Sequence, residues 1–182
     1  MTRAHGFPIV PAIVVASGRV VGVDPGLNVT GYAVVERTPR GAAIIEAGVI
    51  RPRRSGLGPR LAAIHQGILE ILGAFPASAL ALEQVHSRVA FPRTALLMAH
   101  ARGAIVLAAE LSQTPVFDYA PARVKKTITG NGRAPKSQIQ HAIMTEFGLD
   151  QLPEPHDVAD ACAIALCHVA LNRDSLGLAS GG

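Results

Sequence analysis

The regular apolar pattern begins with a β-branched run at residues 20–24, breaks at Pro25-Gly26-Leu27-Asn28 and resumes over residues 30–36, which predicts two strands of a hairpin. Residues 42–50 supply a third strand. A Pro/Gly/Arg-rich loop at 51–59 follows, and then Leu61, Ile64, Ile68, Ile71 and Leu72 recur at helical spacing up to Pro76. The apolar stretch Ala79-Leu80-Ala81-Leu82 ends on Glu83 and predicts a fourth strand. A helix over residues 94–112, with Leu97, Ala101, Ala104, Leu107 and Leu111 on one face, leads to a fifth strand at 116–119. Three helices at about 121–127, 137–147 and 156–172 complete the chain, with a Gly130-Asn131-Gly132-Arg133 loop between the first two. Hairpin strands followed by alternating helix and strand predict an α/β fold, a mixed five-stranded sheet flanked by helices.

The 182 residues suffice for one sizeable core, and 49% apolar content without a single Trp makes that core aliphatic. Residues 1–18 are expected to be a loose extension, residues 19–173 the folded domain and residues 174–182 a frayed Gly/Ser-ended tail. The apolar stretch at 7–16 imitates a signal peptide but is broken by Pro8 and Pro11. No run of about 20 apolar residues predicts a membrane span, and no membrane partner is expected. Cys162 and Cys167 have neither disulfide-framework nor zinc spacing, which fits buried thiols in a reduced, cytoplasmic compartment.

A formal charge of +4 and a pI near 9.6 come with bases grouped at Arg51, Arg53 and Arg54 and at Lys125, Lys126, Arg133 and Lys136, a balance that favours a polyanionic partner. Against this background four acids stand at the ends of apolar runs: Asp24, Glu83, and the pair Asp157 and Asp160. A carboxylate at such a place must be paired, protonated or bound to a cation. Asp157 and Asp160, three apart, share one helix face and are both expected in its first turn, at the positive N-terminal end. Taken singly, either is an ordinary helix-start acid and Asp24 a turn former; the set of four predicts one metal site. Oxygen-only ligands suit Mg²⁺ or Mn²⁺, and two such ions held by four carboxylates support in-line phosphodiester hydrolysis without a nucleophilic side chain.

Val23-Asp24-Pro25-Gly26 with Thr30-Gly31-Tyr32, Leu82-Glu83-Gln84-Val85, Ala101-Arg102-Gly103, Lys136-Ser137-Gln138 and Asp157-Val158-Ala159-Asp160-Ala161, in this order, resemble the RuvC family of Holliday junction resolvases. The resemblance implies a ribonuclease H-like fold, a homodimer, four-way junction DNA as substrate, and the RuvA–RuvB branch-migration complex as partner. It also implies paired symmetric nicks that leave 5′-phosphate and 3′-hydroxyl ends. Asp24, Glu83, Asp157 and Asp160 would be catalytic metal ligands for Mg²⁺, two ions per site. Lys125 and Lys136 would face the phosphate, with Arg133, Arg51 and Arg54 as further DNA contacts. The family commonly has Phe after Glu-Gln-Val; His86 stands there instead, with Phe91 in the same loop as a second candidate for stacking on a base. His156, beside the acidic pair, takes at most a supporting role outside the ligands.

Two other readings stay open at this stage. A strand, Asp, Gly and a later Thr-Gly also begin ATP-binding proteins of the actin and sugar-kinase kind, although no second Asp-x-Gly-x-Gly segment follows. A junction-binding module without cleavage would use the same bases but would have no need of the acids.

Overall fold

The computed structural model describes residues 18–39, 41–53, 55–85 and 92–172. Arg54, His86 and Phe91, and the segments 1–17 and 173–182, lie outside the described residues. Five strands, β1 (Arg19–Asp24), β2 (Thr30–Thr38), β3 (Gly41–Ile50), β4 (Ala79–Glu83) and β5 (Val116–Tyr119), form one sheet in the order β3-β2-β1-β4-β5. The β1–β2 and β2–β3 pairs are antiparallel, whereas β1–β4 and β4–β5 are parallel. The helices are α1 (Leu57–Ala74), α2 (Pro92–Leu111), α3 (Pro121–Thr129), α4 (Lys136–Phe147) and α5 (His156–Leu171).

The two faces of the sheet differ in residue size, and that difference positions the site. Val21, Val23, Val34, Leu80 and Leu82 point to one face and pack on Ile64, Ile68 and Ile105 of α1 and α2. Ala33, Ala79 and Ala81, with Val20 and Val35 farther from the acids, point to the other, against the Ala-rich α5. Small side chains there let α5 lie almost on the backbone of the sheet: a methyl on Gly22 would sit 2.3 Å from the Ala161 carbonyl oxygen. Period-two alternation carries Asp24, two residues after Gly22, and Glu83, two after Ala81, to this same α5 face. Burial of the α5 segment from Val158 to Val169, with α3 and α4 covering its outer side, explains an apolar pattern with no polar stripe.

Two buried polar groups close the far end of α5. Tyr119 Oη lies 2.8 Å from His168 Nδ1, and the Asn172 side-chain amide donates to Tyr119 Oη at 3.2 Å. Burial pushes His168 down to about 4, so the imidazole is neutral at physiological pH. Burial likewise pushes the Cys162 thiol up to about 12, which makes it an inert core residue, as expected from the sequence.

The expected face of α2 needs correction. Ala101, Ile105, Ala108 and Ala109 are its buried side, while Leu107 and Leu111, with Leu96, are more than half exposed. Apolar residues surround this helix on nearly every side, so periodicity alone selects no face. Over Arg93–Leu111 its mean hydropathy reaches 1.4, enough by length and composition to cross a membrane, contrary to the expectation that no segment would. Within the fold it packs on α1 and carries the ion-paired Arg102 at its centre.

Candidate active site

The parallel β1–β4 register runs from Val20–Ala79 to Val23–Leu82, so the next residue on each strand, Asp24 and Glu83, stand side by side at the carboxyl end of the sheet. On the other flank of β1, Asp24 pairs with Gly31 of β2, and α5 rests its first turn on that glycine. A methyl on Gly31 would fall 2.0 Å from the Asp157 carbonyl oxygen. The absence of a side chain at Gly31 therefore brings Asp157 to Asp24. Thr30, fully buried, donates from Oγ1 to the Gly26 carbonyl at 2.7 Å and ties down the turn that follows Asp24. Arg60 of α1 donates to Asn28 Oδ1 in the same turn.

Asp24, Glu83 and Asp160 line a cleft of about 280 Å³ together with Lys125 and the apolar Val124, Ile139 and Ile164. Burial pushes Asp24 up to about 7, and the charges of Glu83, Asp160 and Asp157 push in the same direction. The neighbouring Glu83 carboxylate, as a charge and as a hydrogen-bonding partner, favours the protonated form of Asp24. Among the described residues no three acidic, His or Cys side chains already close on one point as a cage. Carboxylates lining an open cleft suit a hard cation that keeps water and takes further oxygens from a substrate.

A family model, Crossover junction endodeoxyribonuclease RuvC, matches residues 20–168. The chain belongs to the RuvC family. The RuvC of Rhodopirellula baltica is 51% identical over 163 residues, which cover 89% of this chain and 92% of that one. The RuvC of Pelotomaculum thermopropionicum is 42% identical over 151 residues, covering 82% and 91%. Among solved structures, T. thermophilus RuvC in complex with a Holliday junction substrate matches with a TM-score of 0.80 and 31% identity, over 87% of this chain and 96% of that chain. The yeast mitochondrial resolvase Ydc2, at 14% identity and a TM-score of 0.54, shares the fold. The ribonuclease H-like fold of the RuvC family and the expected five-stranded mixed sheet thus agree, and the family is one of enzymes.

Within this RuvC-family site the bases expected from the sequence divide by position. Lys125 on α3 is half-buried in the cleft wall. Lys136, the first residue of α4, reaches Asp160 with Nζ 3.2 Å from Oδ2, both side chains about half exposed. Arg133 is exposed in the turn before α4, where its backbone N–H donates to Asn131 Oδ1 at 2.9 Å. Arg51 directly follows Ile50, whose register partner is Thr30, so this exposed arginine leaves the sheet at the end that carries Asp24. His156 is exposed at the first position of α5 and is not part of the cleft wall.

Two features differ from the sequence reading. Asp157 lies in the first turn of α5 but Asp160 lies beyond it, so the helix end favours the first acid and Lys136 the second. Arg102, within Ala101-Arg102-Gly103, also has a place in the site that the motif alone does not show. Arg102 donates to the Glu83 carbonyl and pairs with Asp118. An arginine between buried residues of an otherwise apolar helix was the available signal.

Proposed function

We propose that this chain resolves Holliday junctions by divalent-metal-dependent hydrolysis of DNA, with Asp24, Glu83, Asp157 and Asp160 holding two Mg²⁺ ions, or Mn²⁺ in their place. The observation that carries the reading is the convergence of Asp24, Glu83 and Asp160 on one cleft, with Asp157 near enough for its charge to act on Asp24. An all-oxygen donor set with excess negative charge fits a hard cation and repels a phosphodiester unless one is bound. Such cations supply charge stabilisation on the phosphate and a water acidic enough to attack at neutral pH.

The chain's own residues hold and orient. Asp24 and Glu83 project from strand ends, and Asp157 and Asp160 from a helix packed on the sheet, so all four acids would be carried by rigid elements. Lys125 lines the cleft beside the acids and Lys136 pairs with Asp160 at its edge, and either ammonium would hold a non-bridging phosphate oxygen or balance charge that develops on it. Arg51 and Arg133 extend the positive surface for the sugar-phosphate backbone, a role we also assign to Arg54. His86 and Phe91 would reach bases at the crossover, and His156 would support Asp157 without binding metal.

The experiment is single-turnover cleavage of an end-labelled four-way junction in Mg²⁺, in Mn²⁺ and in EDTA. Symmetric nicks in either metal and none in EDTA are expected; equal nicking in EDTA would reject the metal reading. Binding without nicks in any metal would favour the non-cleaving module. Lys136→Ala should lower the rate by about 10- to 100-fold, the range for one lost charge-stabilising donor, while junction affinity falls less than threefold. A proportional loss of affinity would make Lys136 a simple backbone contact.

We further propose a cytoplasmic homodimer that works with the RuvA–RuvB branch-migration complex. Two nicks related by symmetry require two sites, and the exposed Leu96, Leu107 and Leu111 stripe of α2, with open space at Gly103, is the apolar surface we assign to the contact between copies. Leu107→Glu should convert a dimer to a monomer in sedimentation and abolish paired nicking; an unchanged dimer would place the interface elsewhere.

A further inference from the structure

We propose that Arg102 is a positioning residue for cleavage: from α2 its guanidinium clamps the end of β4 to β5 and so fixes the direction in which Glu83 leaves the sheet. This rests on the reading of Glu83 as a metal ligand. Nη1 donates to the Glu83 carbonyl at 3.0 Å and Nη2 to Asp118 Oδ1 at 2.5 Å. The Arg102 side chain is 21% exposed, enclosed between α2 and the sheet.

The ladder explains why such a clamp is needed. Pairing of β4 with β1 stops at Leu82, one residue before the acids. On the β5 side Glu83 still pairs with Tyr119, and the Gln84 N–H donates to the Tyr119 carbonyl at 2.9 Å. Glu83 is thus secured by one neighbouring strand, and Arg102 supplies a further hold on its peptide. Asp118 pairs with Leu82 in register and by alternation faces α2, where it orients the fork. A planar guanidinium can serve a carbonyl and a carboxylate at a fixed angle; a lysine ammonium cannot reproduce both. Because the fork is engaged with backbone and carboxylate, Arg102 acts through Glu83 rather than on DNA. It also joins the outward Leu107 stripe to the site through one helix.

The test follows Mn²⁺-dependent thermal stabilisation, junction affinity without divalent metal, and single-turnover cleavage in Arg102→Gln, Arg102→Lys and Asp118→Asn. In Arg102→Gln the metal concentration at half-maximal stabilisation should rise about tenfold, the lower end of the range for partners of metal ligands. Junction affinity should stay within about twofold, and Arg102→Lys and Asp118→Asn should fall between it and the unsubstituted protein. An unchanged metal dependence in folded variants would overturn the clamp, as would affinity falling in step with cleavage. Should Arg102→Gln not fold, the other two variants carry the same test. Glu83→Gln runs alongside: if its metal dependence is unchanged, the ligand reading itself fails. If Glu83→Gln weakens metal and the Arg102 and Asp118 variants do not, only the clamp fails.

Discussion

Asp24→Asn is expected to lose at least about a thousandfold in junction cleavage, equivalent to about 4 kcal/mol of lost transition-state stabilisation, and to be more stable than the unsubstituted protein at pH 8 without metal. Both effects have one origin. Burial and the facing carboxylates hold Asp24 near 7 in the folded chain, against an ordinary 3.8. Between these values the folded state binds more protons than the unfolded one, so stability falls as pH rises through that window and the loss is complete above 7. The cost at pH 8 is on the order of 4 kcal/mol, or about 8–16 °C in melting temperature for a domain of this size. Asn cannot ionise and escapes it. Melting curves from pH 4 to 8 in EDTA should separate with rising pH, the variant above; adding Mn²⁺ should raise only the unsubstituted protein substantially. Coincident curves would show that Asp24 carries no such strain. A site that destabilises its own fold until its cation arrives is an expected trade of stability for function.

Gly31→Ala should cost about 1–3 kcal/mol of stability and about a hundredfold in cleavage, although residue 31 touches no substrate. The added methyl would stand 2.0 Å from the Asp157 carbonyl oxygen and 3.0 Å from its Cβ, so the start of α5 must retreat. A retreat of about 1 Å misplaces Asp157 relative to Asp24 and is enough for a rate loss of that size. Gly73→Ala is the control: no atom lies within 4 Å of the added methyl, and helix propensity predicts an equal or slightly higher melting temperature with unchanged cleavage. Near-normal cleavage by Gly31→Ala would mean that the α5 start adjusts freely or that Asp157 is dispensable. Urea denaturation beside single-turnover kinetics distinguishes fold from site.

The strands were legible because each is a short apolar run bounded by turn chemistry; residues 116–119 coincide with β5, and Ala79–Glu83 with β4. The acids were legible as outliers at the ends of such runs. That they belong together was expected from the set of four, but how they meet was not legible, because it depends on which strands pair and on α5 crossing at contact distance over Gly22 and Gly31, which are long-range facts. The size asymmetry of the two sheet faces, Ala and Gly against Val and Leu, was written in the sequence but needs the strand register to become meaningful. The inward face of α2 was misread for a related reason: where both faces are apolar, packing rather than periodicity decides. The Lys136–Asp160 contact and the Arg102 fork each join residues brought together only by tertiary packing.

The most direct measurement of the central claim is single-turnover cleavage of one end-labelled four-way junction in Mg²⁺ by the unsubstituted protein and by Asp24→Asn, Glu83→Gln, Asp157→Asn and Asp160→Asn, each first checked for junction binding. Symmetric paired nicks from the unsubstituted protein are predicted. Each amide variant should bind the junction yet cleave it at least about a hundredfold more slowly, since each removes one charge from a shared cation site. A variant that cleaves within a few-fold of the unsubstituted rate would contradict the four-carboxylate site.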